Sequence, residues 1–85
     1  MITEKQLKAI EFRVNQTQNA PWKAFIEGRD HSSGSNFIMT GTGENRQSDI
    51  ELLGATESDY DFIANARQDI PNLIKEIREL KRKLE

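Results

Sequence analysis

From Ile63 onward, apolar residues recur at alternating intervals of three and four: Ile63, Ala66, Ile70, Leu73, Ile77, Leu80 and Leu84. A mean spacing of about 3.5 residues nearly matches one helical turn, so all seven share one side of a single helix. The pattern predicts a long C-terminal helix within residues 56–85 and a partner along its stripe. Ile at a with Ala or Leu at d suits a parallel pair, in which Glu76 at g meets Lys81 at the next e. These seven residues are the expected oligomer interface. Ile74, at an e position, widens the stripe and gives the same helix apolar surface to lay on a sheet. Thr56 with Asp59, or Ser58 with Asp61, can cap its start, and Lys81, Arg82 and Lys83 suit its negative end.

Pro71 interrupts the run. Inside a helix a proline removes one hydrogen bond and costs about 3 kcal/mol. Asp69 could instead cap a second helix with Pro71 in its first turn. The heptad phase passes Pro71 undisturbed, so one long kinked helix is expected.

The rest of the chain offers little to bury. Ile, Leu, Val and Phe account for 20 of 85 residues, just above the level of about 20% at which chains tend to stay unfolded. A core below about 80 residues seldom supplies more than about 3–5 kcal/mol. Assembly with further copies offsets that shortfall, so a homo-oligomer is expected. There is no cysteine, hence no disulfide framework, thiolate nucleophile or cysteine–zinc site. No segment approaches the about 20 apolar residues of a membrane span, and no secretory leader is legible at Met1–Lys5. A cytoplasmic location and no membrane partner follow as expectations.

The formal charge is -2. Residues 44–69 hold seven acids against Arg46 and Arg67, and residues 73–85 hold five bases against three acids. Without a dominant basic face, nucleic acid is not the expected partner.

The remaining elements complete a single small α+β domain, residues 1–85. In the first segment, 1–18, Thr3 and Gln6 form a capping box flanked by Ile2 and Leu7. Leu7, Ile10 and Val14 make one stripe, predicting a helix from about Glu4 to about Gln16 that Ala20-Pro21 stops. A small sheet follows over 21–54. Trp22–Glu27, Asn36–Thr40 and Asp49–Leu53 read as three short strands, joined by polar loops at 28–35 and 41–46. Short connections make them an antiparallel meander, in the order α-β-β-β-α.

Catalytic constellations are missing from the sequence. The single His31 cannot build a multi-histidine metal site, and Asp30-His31-Ser32 lacks a nucleophile elbow. Asp59 and Asp61 point about 200° apart on a helix and suit its positive end better than a metal. Gly41-Thr42-Gly43 lacks the rest of a phosphate loop and reads as a turn requiring positive φ. Its backbone N–H groups with Arg46, or Gly28 with Arg29, could alternatively meet a phosphate. Trp22 is either a core anchor or a stacking platform, and base–aromatic stacking is worth about 1–3 kcal/mol. Arg67 is a surface ion-pair partner or an anion clamp, and Asn65 beside it carries both a donor and an acceptor.

Ala20-Pro21-Trp22 after an amphipathic helix, and Asp61-Phe-Ile-Ala-Asn-Ala-Arg-Gln-Asp-Ile-Pro-Asn-Leu73 entering a charged one, resemble a group of short bacteriophage and prophage proteins, usually labelled hypothetical or Ea22-like. The resemblance covers both ends of the chain but not its middle, and implies a phage origin. In size and expected assembly the chain is also similar to small phage proteins that hold nucleotide immune signals between subunits, the sponges of the Lockin and Sequestin types. That resemblance implies a Thoeris inhibitor in the infected cell's cytoplasm. It would capture, without cleavage, a cyclic ADP-ribose-like or related signal made by a TIR-domain or cyclase system. The expected ligand residues are Trp22 for the base, Arg29, Arg46 or Arg67 for phosphates, and Asn65 for polar edges. No catalytic residue, metal or cofactor is expected. The competing readings are an adaptor that binds another protein through the C-terminal helix, then an enzyme, then a DNA-binding protein using the Lys75–Lys83 face.

Overall fold

The computed structural model describes every residue except Ser33. Its order is helix α1 (Glu4–Asn15), strand β1 (Trp22–Phe25), strand β2 (Phe37–Thr40), a one-turn 3-10 helix (Gly43–Asn45) and helix α2 (Glu57–Lys83). The architecture is α+β.

Both helices start where the sequence caps them. The Thr3 hydroxyl accepts from the Gln6 N–H, and the Gln6 side chain accepts from the Thr3 N–H. Thr56 and Asp59 form the same reciprocal pair at the start of α2. Each box satisfies two N–H groups that have no partner in the first turn. Pro71 lies inside α2, which is one 27-residue helix and is not split.

β1 and β2 pair antiparallel, with Trp22 opposite Thr40, Ala24 opposite Ile38 and Phe25 opposite Phe37. Because side chains alternate across a strand, Ala24, Ile38 and Thr40 turn inward and are buried, and Tyr60 and Ala64 of α2 close over that face. Lys23, Phe25, Phe37 and Met39 take the other face, where the two phenylalanine rings stack at 5.3 Å.

The expected third strand, Asp49–Leu53, is reduced to a single bridge between Ile50 and Ile38. Two N–H···O bonds at that point, 2.8 and 2.9 Å, hold the segment against β2. It then leaves the sheet and turns at Leu53-Gly54, and its other anchor is the Tyr60 hydroxyl. That hydroxyl accepts from the Leu52 N–H at 2.9 Å and lies 3.2 Å from the Asn36 and Leu52 carbonyls. Ile50 and Leu52 alternate because they are half-buried beside the core, which gives a strand's pattern without a strand's ladder. β1 also ends short of Glu27, because the chain folds back at Ile26. There the Ile26 carbonyl accepts from the Arg29 and Asp30 N–H groups, and the Asp30 carboxylate accepts from the Ile26 N–H.

α1 lies antiparallel along the distal half of α2. Leu7 and Ile74 are buried at this contact. Arg78 pairs with Glu4 and Glu11, and Lys81 Nζ donates to the Ile2 carbonyl. At about 100° per residue, the inward residues of α2 (Tyr60, Ala64, Gln68, Pro71, Ile74, Arg78) span about 120° of its circumference, and the heptad stripe is centred more than about 110° round from the middle of that arc. The stripe is therefore left largely uncovered. Leu73, Leu80 and Leu84 are 60%, 52% and 79% exposed, and Ile63 and Ile70 slightly over a third.

Candidate groove between the helices

Trp22 is fixed by three hydrogen bonds. Its N–H donates to Gln68 Oε1 at 2.7 Å, its carbonyl accepts from Gln68 Nε2 at 3.1 Å, and its indole N–H donates to the Gln18 carbonyl at 3.2 Å. The same Gln18 carbonyl accepts from Arg67 Nε at 3.3 Å. One backbone oxygen therefore holds the indole and the guanidinium side by side. Both line an open groove of about 340 Å³ whose walls are Ile10, Arg13, Val14 and Thr17 of the α1 end and Ile63, Ala66 and Ile70 of α2. That volume is at the lower end of small-ligand sites, about 300–1,000 Å³. Among the described residues no carboxylate pairs with Arg13 or Arg67, so two cations stand over an apolar floor.

The other expected ligand residues lie elsewhere. Arg29 is enclosed by acids: Nη1 lies 2.9 Å from Glu57 and 2.8 Å from Asp61, and Nε lies 3.0 Å from Asp30. Hydrogen bonds to Asp61 and then Asp30 raise the Arg29 pKa. The same contacts, with Arg29 the largest cause, hold the Asp30 and Asp61 carboxyls below their usual range. Arg29 thus ties the loop after β1 to the first turns of α2. Arg46 pairs with Asp49 at 2.9 Å. The Asn65 amide donates to the Asp61 carbonyl one turn back and is absent from the groove wall. Of the five residues, Trp22 and Arg67 meet.

Arg13, on the groove wall, and Gln68, which holds Trp22, are neighbours of the candidate site that sequence reasoning missed. Arg13 flanks the Ile10–Val14 stripe, a position open to reading as a groove rim. Gln68 sits at an ordinary outer heptad position, and nothing local marks its bond to a strand 46 residues away.

The basic end of α2 is substantially occupied within the chain: Arg78 by Glu4 and Glu11, Arg82 by Glu79, and Lys81 by the Ile2 carbonyl. Among the described residues no three His, Cys, Asp or Glu side chains gather as a metal site, and no helix is long and apolar enough to cross a membrane. No family model, curated protein or solved structure matches the chain.

Proposed function

We propose that the protein is a non-enzymatic binding module that assembles with copies of itself along α2 and holds a small nucleotide-type ligand where the copies meet. The observation that carries this reading is the shared groove. Trp22 and Arg67, the stacking and anion-binding candidates, lie against Ile63, Ala66 and Ile70 of the assembly stripe. A flat base fits over the indole face, whose N–H is already satisfied, while Arg67 and Arg13 offer charge-assisted bonds to a phosphate. An open groove on one copy becomes enclosed when a second copy covers it, which strengthens each polar contact by excluding water. With the phage resemblance, this is a sponge that sequesters a cyclic ADP-ribose-like signal and so inhibits host defence.

Native mass spectrometry and calorimetric titration with cyclic ADP-ribose and related TIR-derived nucleotides test it. The expected result is a homo-oligomer that binds one of these, with affinity falling at least about ten-fold in Arg67→Gln or Trp22→Leu, on the scale of one lost charge-assisted or stacking contact. Absence of heat from folded protein with every nucleotide removes the ligand half of the proposal. A second reading, an adaptor that binds another protein through its C-terminal helix, is favoured by Leu80 and Leu84, which are exposed at the end of α2 away from the groove.

A further inference from the structure

A second apolar surface adjoins the groove. Phe62 is 75% exposed and Leu53, at the turn before α2, is fully exposed. With Ile63 they border a surface hollow of about 480 Å³ whose charged lining residue is Asp59. Ile63 lines both features. On one side of it the exposed Leu53 and Phe62 side chains project from the rim of that hollow, beside the Asp59 carboxylate, and on the other lies an apolar groove rimmed by Arg13 and Arg67. Each needs what the other has. Placing large, exposed apolar side chains beside a complementary recess is the arrangement of a self-complementary interface, where residue i meets j and j meets i.

We infer that a second copy of this chain docks by a two-fold axis passing close to Ile63, so that Leu53 and Phe62 of each copy cover the Trp22 groove of the other. The axis carries the projection of one copy onto the recess of its partner twice over, and the two α2 helices cross antiparallel there. This differs from the in-register parallel seam that the heptad pattern alone suggests. Asp59 of one copy then faces the two arginines of the other, and one carboxylate against two guanidiniums leaves a positive charge available to a phosphate. The inference rests on the self-assembly half of the proposed function and is independent of the ligand half.

Sedimentation equilibrium and cysteine cross-linking test it in the full chain, which has no native cysteine to interfere. Phe62→Asp is expected to raise the dimer dissociation constant at least ten-fold with an unchanged helical circular dichroism signal. On mild oxidation Ile63→Cys is expected to form a disulfide-linked dimer and Leu84→Cys is not. An unchanged dissociation constant in Phe62→Asp, or cross-linking of Leu84→Cys whether or not Ile63→Cys also cross-links, overturns this mode of docking while leaving self-assembly standing. A wild-type chain that stays monomeric, or that pairs only with a different protein, overturns both.

Discussion

The side-chain amide of Gln68 pairs with the backbone of Trp22 as a neighbouring strand would, accepting from its N–H at 2.7 Å and donating to its carbonyl at 3.1 Å. β1 is the edge of a two-stranded sheet, and unpaired edge groups are costly when buried and adhesive when exposed. One glutamine of α2 thus satisfies the Trp22 end of that edge and sets the helix against the strand that carries the groove's tryptophan. Gln68→Ala is expected to destabilise the fold by about 1–3 kcal/mol, since it leaves both backbone groups without their partner. The urea midpoint measures the loss.

Tyr60→Phe is expected to cost a comparable amount, about 1–3 kcal/mol, because the buried hydroxyl is the partner of the Leu52 N–H. The segment after Ile50 should loosen first. Faster amide exchange at Leu52 than at Ile50 in the variant is the signature, and equal protection at both positions refutes it.

Acid is expected to weaken the fold through the arginine-held carboxyls. Asp30 and Asp61 titrate below their usual range because of Arg29, and Glu11 because of its hydrogen bond to Arg78. Unfolded, these groups have pKa values of about 3.9 and 4.3, so near pH 4 the unfolded chain binds more protons than the native one. Their stabilising contribution is complete above those unfolded values and disappears as pH falls through the lower native ones. The urea midpoint should hold from about pH 7 to 5.5 and decline below about pH 5. In Arg29→Met the decline is smaller, because Asp30 and Asp61 regain ordinary behaviour. An equal decline in both proteins assigns acid sensitivity to other groups.

Pro71→Ala is expected to raise stability. It restores the N–H that Arg67's carbonyl lacks within α2, and an interior proline costs about 3 kcal/mol relative to alanine. Some of this is returned through lost packing, since Pro71 is half-buried beside Ile74 and Glu11. A net gain of about 1–2 kcal/mol in urea unfolding is the expected balance.

Features fixed by neighbours in sequence were legible. The Thr3–Gln6 box, the amphipathic stripe of α1 and the passage of α2 through Pro71 depend on residues within a few turns of each other, and of the two caps open to α2 the structure uses Thr56 with Asp59. Features fixed across the chain were not. Ile50 and Leu52 alternate like a strand, yet after one bridge the segment is held by a tyrosine on α2 rather than by a ladder. Arg29 resembles a free loop cation until Glu57 and Asp61, 28 and 32 residues later, are brought to it. The apolar stripe of α2 was visible, but the face that packs at home is the neighbouring one, set by Tyr60, Ala64 and Ile74. Trp22 and Arg67 were recognisable as candidates, and their meeting depends on the Gln18 carbonyl, which no side-chain pattern records.

Arg78 reaches back to Glu4 and Glu11 across 74 and 67 residues. Leu7 is buried only once α2, far along the chain, has folded back beside α1. Such distant closure slows folding. A chain cut before Ile74 would lose the buried α2 residue at this contact as well as the Arg78 ion pairs, and α1 would be left with its apolar stripe in water.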